Sequence, residues 1–216
     1  MFNQSQILSF IVSIPAVLLA ITIHECAHGW AAYLMGDRTA YYSGRLSLNP
    51  LHHLDPIGAL CMLLFRFGWA KPVPVNSSNF KNHRAGIIAV SLAGPLSNFL
   101  LGLICCILLY AVIFLSRGES VLLNFIHTIL LQSVYMNVGL MIFNLIPIPP
   151  LDGSKILIEF LPYKWQYKMY QYERYFGLIL ILLVYAGSMT PILGALQSYV
   201  LKFYEFISMS ILNLFI

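Results

Sequence analysis

Two histidines and a glutamate lie within five residues of one another at His24-Glu25-Cys26-Ala27-His28, inside an otherwise apolar run. On an α-helix, His24 and His28 share one face a turn apart, so two imidazole nitrogens can reach a single zinc ion. Glu25 stands beside them. In the HExxH arrangement that carboxylate takes a proton from metal-bound water, whose pKa the metal has already lowered, and makes hydroxide available at neutral pH. Two ligands do not make a site. Zinc in a hydrolase takes three protein ligands plus water, so a third has to come from elsewhere in the chain. A lone helical histidine is usually a hydrogen-bonded core residue, and short motifs recur by chance. What weighs against that reading is the cost of desolvating three such groups in an apolar helix, rarely tolerated without a functional partner.

The search for a carboxylate ligand is short, because the chain has only three aspartates: Asp37, Asp55 and Asp152. Asp152 follows the break Pro147-Ile148-Pro149-Pro150 and precedes Gly153, where backbone can approach closely. On these grounds, ligation and N-capping of the next helix are equally open to it. Asp37 and Asp55 lie in polar loops beside basic residues and are more simply cap or salt-bridge groups. His52 and His53 are adjacent and point in different directions, which suits interfacial or substrate contacts better than ligation. His83 belongs to a basic membrane flank, and His127 falls toward the other end of its helix from the motif. Cys26, Cys61, Cys105 and Cys106 lack the spacing of a disulfide framework or zinc knuckle and read as small core hydrophobes.

The elements that must position these groups are membrane helices. With 59% hydrophobic and 9% charged residues over 216 positions, the chain is far less charged than a soluble domain, and its mean hydropathy is +0.79. Its charge of +4 carries no signal for nucleic acid, since basic residues flanking apolar helices mark the cytoplasmic side. The apolar run from Ile7 to Met35 would extend about 43 Å as a helix, beyond the ~30 Å hydrocarbon core, and Gly36-Asp37 stops it. It lacks a basic n-region and runs past signal-peptide length, so it is expected to be retained. A polar, turn-rich connection follows, in which the alternation Arg45-Leu46-Ser47-Leu48 allows a short β-hairpin about Ser43-Gly44.

Residues 57 to 70 are too short to cross and suit a re-entrant or interfacial hairpin, with Arg66 snorkelling. Long apolar runs follow at 85 to 115, with small residues and Pro95 about Asn98, and at 121 to 146. The prolines at 147 to 150 end the latter and leave backbone groups to be satisfied by a cavity or by water. A basic amphipathic stretch at 154 to 174, a span beginning at Tyr175 and an apolar tail at 191 to 216 complete the chain. Trp30, Trp69, Trp165 and the tyrosines at 163 to 175 suit interfacial anchoring. Lys and Arg concentrate at 36 to 84 and 153 to 174, against Arg117 alone in the opposite turn. The N-terminus is therefore expected outside, with the HExxH end and the Asp152 loop both on the cytoplasmic side.

Three separated motifs, HECAH at 24 to 28, AGPLSN at 93 to 98 and NLIPIPPLDG at 144 to 153, together resemble the site-2 protease family of zinc-dependent intramembrane metalloproteases. GRLSLNPLHHLDPIG and FGWAKPVPVN extend the likeness to the compact prokaryotic members without PDZ or CBS domains, over nearly the whole chain. The resemblance implies one Zn2+ per chain held by His24, His28 and Asp152, with Glu25 as base. It further implies that Asn144 stabilises the oxyanion or positions substrate, and that Asn98 belongs to the packed core.

The expectation is thus an all-α polytopic membrane protein with a site-2 protease-like helical bundle. It would have about four to six membrane segments and a single metalloprotease domain over 1–216, in a prokaryotic cell membrane. Its partners would be the lipid bilayer and a membrane-protein substrate with a transmembrane segment, and its function hydrolysis of a peptide bond in or near that segment. A helical substrate must unwind first, and either the backbone at 147 to 150 or an extended 44 to 48 would receive it. A membrane metal transporter would spread polar positions along a path, whereas here they cluster at one depth. A non-catalytic scaffold would have no use for Glu25 beside both histidines.

Overall fold

The computed structural model describes residues 4–58, 61, 70–115 and 120–214. Most of the expected 57–70 hairpin, including Arg66 and Trp69, and Arg117 of the opposite turn lie outside the described residues. The long helices are α1 (Gln4–Met35), α3 (His83–Leu115) and α4 (Val121–Asn144). Shorter ones are α2 (Thr39–Tyr42), α5 (Asp152–Ile158), α6 (Tyr163–Gln171), α7 (Glu173–Tyr185) and α8 (Thr190–Leu212).

Segments Ile11–Met35, His83–Phe114 and Val121–Asn144 are long and apolar enough to cross a membrane. A fourth crossing is counted if α7 and α8 form one interrupted span, which puts the total at the lower end of the expected range. About a third or less of each of the first three is buried within the protein, so most of their apolar surface must face hydrocarbon. The protein is an integral membrane protein.

The helix ends fall where the sequence signals place them. Gly36, at φ +115°, closes α1: its amide donates to Tyr33 O at 3.1 Å, and the next amide, of Asp37, donates to Ala32 O at 2.9 Å. A side chain there would also meet Asn79 O at 2.9 Å. α4 stops at Asn144, three residues before Pro147. Beyond it the amides of Ile146, Ile148 and Leu151 bond to carbonyls within the 143–151 turns. These turns satisfy the amides of the break locally.

No strand forms at 45–48. Alternation was a weak signal for a ladder, and other groups hold this segment. The Arg45 guanidinium donates to Lys71 O, while Ser47 O accepts from His53 Nε2 at 2.7 Å and from Cys26 Sγ at 3.1 Å. The two ends of the short apolar segment do meet, through an antiparallel bridge between Leu54 and Ala70 and a bond from Lys71 N to His53 O at 2.9 Å.

The chain divides into two compact units. The first takes residues 1–20, 98–142 and 189–216. Its core joins Cys105 and Cys106 of α3, Val134, Val138, Met141 and Ile142 of α4, and Tyr204 of α8, whose hydroxyl donates to Phe99 O at 2.6 Å. Asn98, fully buried, donates through Nδ2 to Ala20 O at 3.1 Å and to Asn137 Oδ1 at 2.7 Å. Asn137 in turn donates to Ser133 O. This amide pair ties α1, α3 and α4 together, at roughly 0.6–2 kcal/mol per bond in a membrane.

The second unit takes residues 21–97 and 143–188, with a core of Ala32, Phe80 and Val90. Asp37 is buried within it as a knot. Its carboxylate accepts from Thr39 N, Thr39 Oγ1, Asn76 N and Asn79 Nδ2, at 2.5–3.1 Å. Burial alone would raise its pKa, yet these four donors hold the carboxyl below the usual range. Asp55 accepts from the amides of Ile57 and Gly58, the cap role expected of it.

Candidate metal centre

His24 and His28 lie on one face of α1, a turn apart, at ring-centroid separation 4.6 Å, and α5 brings Asp152 to them. The two Nε2 atoms are 3.0 Å apart, and Asp152 Oδ2 lies 3.3 Å from His24 Nε2 and 3.1 Å from His28 Nε2. All three residues are buried. Tetrahedral zinc bonds of about 2.0–2.1 Å place ligand atoms about 3.3 Å from one another, so these atoms form the face of a tetrahedron of the right size. Among the described residues they are the one group of three or more such side chains placed to hold a metal.

Neighbouring groups set the donors' chemistry. His28 Nδ1 lies 2.7 Å from Val90 O, a carbonyl that only accepts, so Nδ1 carries a proton, and in the neutral ring the Nε2 lone pair is the one available to a metal. Asp152 caps nothing: Leu151 occupies the N-cap position, and the carboxylate divides its oxygens, Oδ2 to the histidines and Oδ1 to Lys155 Nζ at 3.1 Å. Burial would push this carboxyl up, but the imidazole nitrogens and Lys155 hold it well below the ordinary carboxylate range.

Two glycines permit the approach of the backbones. At Gly94, in the AGPLSN motif on α3, an added Cβ would stand 2.5 Å from His28 Nε2 and 2.6 Å from His24 Cε1. At Gly153 it would stand 2.2 Å from Leu145 O.

The three donors open on a cavity of about 560 Å³ that lies wholly in the second unit. Glu25 and Asn144 line it with them, together with an apolar wall that includes Phe80, Ile87, Val90 and Ile158. Glu25 Oε2 accepts from Val73 N at 2.9 Å. The other candidates stay away from this group. Asp37 and Asp55 are engaged as described. His53 is a buried structural residue on Ser47 O rather than an interfacial one, and His83 is exposed. Sequence reasoning missed Lys155, though its i+3 spacing from Asp152 was a usable signal. It also missed the Val90 and Val73 backbone groups, which no residue type announces.

The description of peptidase family M50 matches residues 111–186. YwhC of Bacillus subtilis (strain 168), described as a "putative zinc metalloprotease", is 39% identical over 197 residues, covering 88% of this chain and 89% of its own length. The chain belongs to peptidase family M50. Two further relatives carry the same description. Rip2 of Mycolicibacterium smegmatis is 30% identical over 67% of this chain and 55% of its own length, and MJ0611 of Methanocaldococcus jannaschii is 29% identical over 76% and 78%. No solved structure matches significantly. This M50 peptidase is a zinc metalloprotease of the site-2 protease family, as its motifs lead one to expect.

Proposed function

We propose that the enzyme hydrolyses a peptide bond within or near a transmembrane segment of a membrane-protein substrate, with His24, His28 and Asp152 holding zinc, Glu25 as the base and Asn144 as an oxyanion or substrate donor. The observation that carries this reading is the mutual approach of the three donor atoms to 3.0–3.3 Å, partway along a helix long and apolar enough to span a membrane. His28 lies seven residues before the end of α1 at Met35, about 10 Å of helix rise. That depth supports cleavage below the helix end rather than in bulk water. On the charge argument this end faces the cytoplasm of a prokaryotic cell, and the whole chain acts as one metalloprotease domain.

Zinc, when bound, polarises the scissile carbonyl and acidifies water. Glu25 takes the proton from the attacking water and returns it to the leaving amine. Asn144, as an amide donor, meets the developing negative charge on the carbonyl oxygen. Apolar side chains of an unwound substrate segment pack on the Phe80, Ile87, Val90 and Ile158 wall.

The test uses purified enzyme with stoichiometric zinc and a panel of lysine-flanked Leu/Ala transmembrane peptides carrying one helix-breaking Asn-Gly pair at varied depth. Glu25→Gln is expected to abolish cleavage while zinc stays bound; normal cleavage by that variant would refute the assignment.

A further inference from the structure

We propose that Arg45 is a positioning residue for Glu25, acting through the backbone of Lys71-Pro72-Val73; this rests on Glu25 serving as the base. Arg45 is 8% exposed, and no carboxylate lies within ion-pair distance of it among the described residues. Its Nη2 donates to Lys71 O at 2.6 Å and to Pro72 O at 3.3 Å, and its Nε has no partner. A buried guanidinium without a counter-ion is a costly way to fill space, and a neutral side chain would serve better if packing were its only role. What it holds is the stretch directly before the amide that meets Glu25.

Val73 is the sole backbone N–H donor of residues 72–74, because Pro72 and Pro74 have none. That one donor is given to Glu25 Oε2 at 2.9 Å. It engages one carboxylate oxygen and leaves the other to take a proton. The stretch is anchored upstream by the bond from Lys71 N to His53 O, and His53 Nε2 is in turn set on Ser47 O. Cys26, next to Glu25, donates to the same Ser47 O. Residues 45–47, 53 and 71–73 therefore make a frame that touches α1 at two consecutive residues, with Arg45 supplying its only charged clamp. The arrangement is an outer-shell support for the base, of the kind whose loss costs about 10- to 100-fold in activity.

The experiment uses the full chain, zinc-loaded, with the same peptide panel and amide hydrogen exchange at Val73. Arg45→Gln and Val73→Pro, the latter removing the N–H donor at a position that already precedes a proline, are expected to lower kcat about 10- to 100-fold, with zinc content within about twofold of the parent and, for Arg45→Gln, KM likewise. Arg45→Lys, which keeps a donor for one carbonyl, is expected to recover part of the loss. In Arg45→Gln, Val73 exchange should rise at least tenfold while that of Lys81, bonded to Met35 O, stays unchanged. The proposal is overturned if Arg45→Gln leaves kcat or Val73 protection intact, or if Lys81 loses protection equally. The exchange arm needs no turnover: with Glu25→Ala, Val73 should deprotect even if no peptide is cut, so failure of the base assignment is told apart from failure of the clamp.

Discussion

Gly94→Ala offers the sharpest check on the geometry around the two histidines. By helix propensity alone the change is favourable, because alanine in a helix interior is preferred to glycine by about 1 kcal/mol. The structure predicts the opposite sign. The new Cβ would stand 2.5 Å from His28 Nε2 and 2.6 Å from His24 Cε1, where ordinary contacts begin at 3.4 Å. One of the imidazoles, or the α3 backbone, must yield by about 1 Å. Metal sites tolerate deviations of about 0.2 Å in ligand distance, so a displacement of this size removes at least one ligand from bonding range.

The expected result is a zinc affinity lowered by more than about 100-fold, or about 2.7 kcal/mol, measured by competition with a chromogenic chelator. Far-ultraviolet circular dichroism should remain helical, because the clash is confined to one turn of α3 facing the site. A Gly94→Ala protein with parental zinc affinity and a raised melting temperature would refute the reasoning, since propensity would then have outweighed the clash.

Other outcomes follow from the same geometry. Asp152→Ala should lose zinc by metal analysis, whereas Asp37→Ala should keep it but melt at lower temperature, since four donors lose their acceptor at about 1–3 kcal/mol for each one left buried and unsatisfied. Asp37 should also leave a mark on acid stability. Its folded pKa is depressed, so its contribution is fully present above the ordinary carboxylate value near 4 and is lost as pH falls below it. Asp37→Asn should flatten the melting temperature against pH in that acidic window. Gly153→Ala, whose Cβ would meet Leu145 O at 2.2 Å, should displace the start of α5 and abolish zinc binding, read by the same metal analysis.

How far the sequence revealed this molecule depended on whether a group's partner was local or distant. His24 and His28 were legible because helical periodicity converts a spacing of four into a shared face. Asp152 was legible because so few carboxylates exist in an apolar chain. Its capping alternative fell only when the carboxylate was seen to face the histidines and Lys155, with Leu151 at the cap position. The proline break after Asn144 was readable, but the local turns that satisfy its amides were not, because such bonds depend on dihedral angles rather than residue types. The expected hairpin at 43–48 failed for a related reason. Arg45, His53 and Cys26 satisfy that segment from afar, and alternation over four residues says nothing of such partners. Asp37, expected as a cap or salt-bridge group, ties the end of α1 to residues 76–79, a contact across some forty positions of chain.

The bond from Lys155 to Asp152 Oδ1 also bears on which ion the protein acquires. With one oxygen committed to an ammonium, the carboxylate offers a single oxygen beside two nitrogens. Calcium, which wants six to eight oxygens, and magnesium, which wants octahedral oxygen coordination, are both poorly served. Among first-row divalent ions, however, such a set ranks copper above zinc in intrinsic affinity. Discrimination against copper must therefore come from the tetrahedral geometry of the site or from the supply of free metal where the chain folds, and the metal content of enzyme produced under copper excess tells the two apart.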